Sequence, residues 1–166
     1  MHAMRVSVNN HTDDSTIAIR ACARIFGGGC MTNALRFEVP GIPVAKGRAR
    51  VTTIGGHARA YTPAKTVAYE STVALMARQA MGASSPMGGP LAVSIVATWP
   101  IPPSWPKKRQ QAAQWKSSKP DADNVAKAIG DGCNGVVWAD DSQIVDLRCV
   151  KRYGQIPGVV VEVCAA

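Results

Sequence analysis

The sequence predicts an α/β protein of the α+β arrangement, a small mixed β-sheet packed with two or three helices. Leu35, Phe37 and Val39 alternate with Arg36 and Glu38, the period-two pattern of a half-buried strand. Leu91 to Trp99 is a mostly apolar run suited to a core strand, and two more strand patterns follow at 143–151 and 159–163. Helix-length segments with their own start and stop residues lie between these strands. At 166 residues, 46% hydrophobic and 18% charged, the chain is long enough for one domain with a real core.

Residues 1–32 read as a flexible amino-terminal appendage or upstream extension, and 33–166 as the domain. The appendage mixes polar residues, one expected strand near 16–19, and Gly27-Gly28-Gly29 before Met31, an alternative start that leaves the domain intact. Pro40-Gly41 ends the first domain strand. A basic loop with Lys46, Arg48 and Arg50 follows, and Gly55-Gly56 predicts a hairpin turn into an extended piece at 58–61. Thr62 is positioned to cap a helix that accepts Pro63 at its first position. That helix runs to about Met81, with Val67, Leu75 and Met76 among its apolar contacts. Residues 82–89 form a loop before the core strand. Pro100, Pro102, Pro103 and Pro106 stiffen the next segment, and a polar helix is expected from Ser104 to Trp115. Loop 116–120 delivers the chain to Asp121. Helix 123–133 uses Ala126, Ala128 and Ile129, and Asn134-Gly135 stops it.

Nineteen Lys and Arg against 11 Asp and Glu give a net charge of +8, which suits an anionic partner, nucleic acid or an acidic membrane. The five cysteines, Cys22, Cys30, Cys133, Cys149 and Cys164, are odd in number and lack paired ligand spacing. They argue against a disulfide framework or zinc knuckle and read as reduced thiols of a cytoplasmic protein. No stretch approaches the roughly 18 apolar residues of a membrane span. Asp13 and Asp14 interrupt any signal-peptide core.

Asp121, Asp123, Asp131, Asp140, Asp141 and Asp146, six of the 11 acidic residues, fall within 26 positions of a basic chain. Clustered carboxylates repel unless a cation or proton offsets them. A solvated acidic surface is the ordinary alternative. Spacing favours a site: Asp121 and Asp123 flank a helix start, whose free amides and dipole favour anions. Asp140-Asp141 follows the helix after a short return through Trp138. Oxygen-only donors suit Mg²⁺, with Mn²⁺ as a substitute, and such ions serve phosphodiester hydrolysis. Asp121, Asp123 and Asp141 are therefore the expected catalytic and metal ligands. Asp140 is either a further ligand or a cap for the turn, and Asp146 reads as a strand residue open to salt bridging. Lys127, four residues after Asp123, shares its helical face and suits either a phosphate contact or a surface ion pair. Asn124 suits a ligand contact or helix capping, and Trp138 suits a packing anchor.

The same residues carry a resemblance. Lys119-Pro-Asp-Ala-Asp-Asn-Val-Ala-Lys127, followed by Asp131-Gly-Cys-Asn-Gly-Val-Val-Trp-Ala-Asp-Asp-Ser-Gln-Ile-Val-Asp146, resembles the core of RusA-type endodeoxyribonucleases, Holliday-junction resolvases of phages and prophages. Val39 to Arg48 and Tyr61 to Lys65 resemble the phage branch of that family. The resemblance implies a homodimer that binds four-way DNA junctions and makes paired nicks with a divalent metal. It implies catalytic roles for Asp121, Asp123 and Asp141, and a functional lysine at Lys127. The proline-rich segment before the motif departs from the smallest family members, which bears on how junction shape is recognised.

Two basic groups are candidate DNA contacts: Lys46, Arg48, Arg50, Arg59 and Lys65, then Lys107, Lys108, Arg109, Lys116 and Lys119. Phosphate contacts position a duplex without reading its bases. Solvation alone is the simpler account of isolated Lys and Arg residues. His57 suits a turn better than a general base. The competing functions are a metal-dependent nuclease of flap, linear or single-stranded DNA, a catalytically inactive DNA-binding protein, and a phage structural protein with an acidic surface.

Overall fold

A computed structural model describes residues 34–48, 50–54 and 57–166. The expected appendage, its strand near 16–19 and the Gly55-Gly56 turn lie outside the described residues. Within them the strands are β1 (Leu35–Pro40), β2 (Arg50–Ile54), β3 (His57–Tyr61), β4 (Leu91–Pro100), β5 (Ile144–Gly154) and β6 (Gly158–Ala165). The helices are α1 (Ala64–Met81), α2 (Lys107–Gln111) and α3 (Ala122–Cys133), and a single 3-10 turn, Asp141–Gln143, precedes β5. The main sheet has the order β1-β6-β4-β5, while β2 and β3 form a separate antiparallel hairpin. β6 pairs antiparallel with β1 and β4, whereas β4 and β5 run parallel. This is the expected α+β arrangement with a mixed sheet.

Residue alternation sorts the sheet into two faces. Phe37, Val39, Leu91, Val93, Ile95, Ala97, Val159, Val161 and Val163 are buried on the face covered by α1 and α3. Ser94, Val96, Thr98, Arg148, Val150 and Arg152 point to the other face, where they line an open groove. The edge-on contact of Trp105 with Tyr153 and the backbone bonds of Gln114 and Lys116 to Tyr153 and Lys151 hold the proline-rich crossover along β5.

α1 spans the helix expected from the sequence, but with a different inner face. Val67 and Leu75 are 48% and 53% exposed, while Thr66, Tyr69, Val73, Ala77 and Met81 are buried. Spacings of three and four place those five on one stripe, and that stripe turns Val67 and Leu75 outward. Pro63, not Thr62, is the N-cap, and no side chain caps the helix. The polar helix expected from Ser104 to Trp115 shortens to α2, because the chain beyond it pairs with β5 through the Trp115–Arg152 bridge.

α3 approaches α1 at a glycine. A β-carbon added at Gly132 would lie 2.7 Å from Val73 Cβ and 2.9 Å from the Glu70 carbonyl oxygen, closer than packed atoms allow. Gly130, on the same helix, has nothing within 4 Å of that position. Gly132→Ala should therefore cost about 1–3 kcal/mol through overpacking, on the order of 5 °C in Tm. Gly130→Ala should be neutral or stabilising by up to about 1 kcal/mol. Paired thermal melts check this, and equal Tm values for the two variants would contradict the close approach.

Candidate active site at the amino end of α3

The loop that leads to α3 is held from β5. Lys151 Nζ donates to the Ser118 carbonyl at 3.0 Å and to the Pro120 carbonyl at 2.5 Å. The Lys119–Pro120 peptide bond is cis. Asp121 is the N-cap of α3 in extended conformation, yet its side chain makes no capping hydrogen bond. Its carboxylate is exposed at the positive end of the helix and available to other partners. Asp123 lies in the first turn, with Asn124 Nδ2 at 3.4 Å from its Oδ1. Lys127 is exposed one turn further on, as its spacing from Asp123 predicts. Beneath this end lies Cys149 of β5. Burial holds its thiol pKa up, the Lys151 ammonium and the Ala126 amide oppose that, and the Asp123 carboxylate adds to it.

Asp140 and Asp141 lie elsewhere in the chain. Asp140 Oδ1 accepts the Ser142 amide at 2.9 Å, capping the 3-10 turn, and hydrogen bonding from the Ser142 side chain first and its amide second lowers the carboxyl pKa. Gln143 closes the capping box: its Oε1 accepts the amides of Ala139 and Asp140 at 2.9 and 3.2 Å. Its Nε2 donates to the carbonyls of Met87 and Gly89 at 3.0 and 3.1 Å, so the turn is tied to the approach to β4. Asp141 is exposed at the start of this turn. Trp138 is fully buried, a packing anchor.

One chain does not gather the three acids that the sequence led us to expect together. Among the described residues no group of three His, Cys, Asp or Glu side chains is placed to hold a metal ion. The direction of α3 is the reason. Its amino end sits beside Cys149 and Lys151, and the chain returns to begin β5 at Ile144. Ile144 and Cys149 are five positions apart along β5, on the order of 16 Å at the usual rise. Asp141 lies beyond Ile144, at the far end from Asp121 and Asp123.

The basic candidates divide in a similar way. Lys46 was expected to meet DNA, but its Nζ lies 2.6 Å from both Glu70 of α1 and Asp131 of α3. Its amide also donates to the Asn124 carbonyl at 2.8 Å. The hydrogen bonds to Asp131 and Glu70 raise its pKa above 10.5, so this ion triad joins α1 to α3. Arg109 stacks over the Trp105 ring at 3.8 Å. Lys116 Nζ lies near the Trp99 and Tyr153 rings and donates to Ser118 Oγ at 2.8 Å. Arg48, Lys65, Lys107, Lys108 and Lys119 are exposed, and the backbones of Arg50 and Arg59 lie on the β2–β3 hairpin. Sequence reasoning missed Lys151. Its strand position carried no signal that it would clasp the loop before Asp121.

Lys46→Ala should lower stability by about 1 kcal/mol, as expected of a partly exposed ion pair. Because the folded-state pKa is raised, the triad's contribution is complete below about pH 10.5 and fades as pH rises through the higher folded value. Chemical denaturation of wild type and variant at pH 7 and pH 11 checks this. A stability difference that is unchanged at pH 11 would contradict it.

Comparison with known proteins gives two findings. The family model described as endodeoxyribonuclease RusA matches residues 40–164. The chain is also 34% identical over 135 residues to "Uncharacterized protein YqaN" of Bacillus subtilis (strain 168), covering 78% of this chain and 94% of that protein.

Proposed function

Because this chain belongs to the RusA endodeoxyribonuclease family, we propose that it resolves four-way DNA junctions by metal-dependent hydrolysis that leaves paired nicks. Family membership supports a Holliday-junction-resolving endonuclease that acts on DNA. The divalent ion, the paired cuts and the residue roles are our reading. One observation carries it: the Asp121 carboxylate stands at a helix N-terminus without a capping bond, beside Asp123 and one turn from an exposed Lys127.

The donor chemistry fits Mg²⁺, with Mn²⁺ as a substitute. Mg²⁺ is commonly held by one or two carboxylates, with water and substrate phosphate filling the other positions. Asp121 and Asp123 would hold the ion, and Asp141, at the far end of β5 in its own chain, would reach it from the second chain of the dimer; Asp140 is engaged as a cap. When bound, the ion supplies charge neutralisation at the phosphate and an acidified water. The Lys127 ammonium binds a non-bridging phosphate oxygen as a point charge and steadies the scissile group. Lys151 positions Asp121 by fixing the two carbonyls before it.

Arg48, Arg50, Arg59, Lys65, Lys107, Lys108, Arg109 and Lys119 contact phosphates on the junction arms, a sequence-independent role. Lys46 is omitted from that group because Glu70 and Asp131 engage it. A two-fold dimer matches the near-symmetry of a four-way junction and sets two sites against two phosphates.

The test uses labelled four-way junctions beside linear, flap and single-stranded controls, with Mg²⁺ or with chelator. We expect paired nicks in the junction only, lost with chelator and restored by Mg²⁺. Asp121→Asn and Asp123→Asn should each lower the cleavage rate about 10³-fold, on the order of 4 kcal/mol of barrier, while junction binding persists. Lys127→Ala should lower it about 10²-fold. Equal cutting of all substrates would replace this reading with a general nuclease, and full activity of either Asn variant would remove the assigned acids.

A further inference from the structure

The sheet face that no described helix covers carries one tryptophan out in solvent. The carboxyl end of β5 is bound to the crossover: the Tyr153 amide donates to the Gln114 carbonyl at 2.9 Å and the Lys116 amide to the Lys151 carbonyl at 3.1 Å. Trp115, between those two bonds, is bridged antiparallel to Arg152, and Arg152 is in register with Thr98 of β4. Residues directly opposite in a ladder share a face, so Trp115 extends the uncovered face one position beyond β5. It is 63% exposed, and Ile156 on the same groove is 85% exposed. Val96, Val150 and Val160 form the half-buried floor beside them. A contiguous apolar surface of this kind marks a binding site.

Charge and ring contacts select the occupant. From Ile101 to Pro120 the chain has five cations, Lys107, Lys108, Arg109, Lys116 and Lys119, and no carboxylate. The other rings nearby are already engaged: Arg109 stacks over Trp105, Trp105 meets Tyr153 edge-on, and Lys116 Nζ lies near both Trp99 and Tyr153. Trp115 has no such ring or cation contact among the described residues. Its backbone is fixed on both sides, so covering its ring costs little further ordering. On the β1 side of the groove, Glu38 and Glu162 both pair with Arg36, at 2.9 and 3.5 Å, whereas the β5 wall presents Arg148. A polyanion with flat apolar faces fits this combination. Single-stranded DNA is such a polymer: cations track its backbone while its bases stack on aromatic rings. A duplex keeps its base faces inside the stack and offers none to Trp115.

We propose that Trp115 is the base-stacking platform of a single-stranded DNA site, with Arg148, Lys107 and Lys108 holding the phosphates. The proposal rests on the nuclease reading for the purpose of the site, but its geometry stands apart from it. The loop from Trp115 to Asp121 is anchored twice on one residue: the Lys151 carbonyl accepts the Lys116 amide, and the Lys151 ammonium holds the Ser118 and Pro120 carbonyls. Six residues span at most about 21 Å, roughly six nucleotides at a rise of about 3.4 Å. A strand stacked on Trp115 therefore reaches the Asp121–Asp123 end by rounding the carboxyl end of β5. The favoured substrate is a branched DNA with an unpaired stretch next to its crossing point, a narrower class than four-way junctions in general.

Binding and cleavage by the full chain test this separately. In anisotropy a labelled oligothymidylate should bind wild type, Trp115→Ala should weaken it about five- to 100-fold, and Trp115→Phe should restore most of the loss. An abasic oligomer of equal length should bind wild type no better than oligothymidylate binds Trp115→Ala. The slope of log affinity against log salt should stay constant in Trp115→Ala and shrink by about 0.7 in Lys108→Ala, which separates stacking from phosphate binding. Equal binding of oligothymidylate by wild type and Trp115→Ala, or of abasic and thymidylate oligomers by wild type, overturns the proposal. So does an acidic apolar peptide that binds through Trp115 where oligothymidylate does not. In cleavage, wild type should favour a junction with a short gap beside the crossing over the fully paired one by at least about fivefold in kcat/KM. That ratio should fall to about one in Trp115→Ala; an unchanged ratio overturns the narrower substrate class. Junction cutting without oligothymidylate binding overturns the platform and leaves the nuclease reading standing. Trp115-dependent binding by a protein that cuts no DNA retires the nuclease reading and keeps the platform.

Discussion

Parallel strands cannot be joined by a tight turn, and the pairing of β4 with β5 imposes that constraint on this fold. The chain leaves the carboxyl end of β4 and must return to the opposite end before β5 can start. Residues 101–143 make that return, and they carry nearly all of the chemistry. α3 is the returning element, so its amino end is left at the far half of β5 and its carboxyl end near the start. Asp121 and Asp123 are fixed at one end of β5 and Asp141 at the other by this single topological requirement. The Lys151 clasp, the Gln143 bracket and the Gly132 contact with α1 then hold each end in place.

Charge in this protein has two separate uses. Lys46 and Lys151 work inside the fold: one joins α1 to α3 through Glu70 and Asp131, and the other fixes backbone carbonyls. Arg109 and Lys116 lie over aromatic rings along the crossover. The exposed cations Arg48, Lys65, Lys107, Lys108, Lys119 and Lys127 are among those available to meet an anionic partner. A net charge of +8 thus overstates the phosphate-binding surface, because several cations hold the structure together.

Much of the fold was legible because local pattern and tertiary role agree. The alternation of β1, the apolar run of β4 and the stop at Asn134-Gly135 all correspond to observed elements. α1 was legible in extent but not in orientation. Its stripe uses Thr66 and Ala77, which look neutral in a sequence, while Val67 and Leu75 look apolar and face outward. Only the position of the sheet beneath the helix decides between such faces. The acidic residues were legible as a group, but not their separation, since sequence distance does not report which way a crossover helix points. The capping of the turn by Asp140 was among the readings the sequence offered. The Lys46 triad was not, because its partners lie 24 and 85 positions away.

The chain thus has two exposed acids at a helix end that favours anions and a lysine one turn away, on a scaffold that exposes one strand edge. The most direct test is the location of bound metal: a crystal of the full chain soaked in Mn²⁺ and mapped by anomalous scattering. The account predicts a peak within coordination distance of Asp121 and Asp123 of one chain and of Asp141 of its partner, repeated about a two-fold axis. A peak held by other residues, with the amino end of α3 vacant at saturating Mn²⁺, would contradict it.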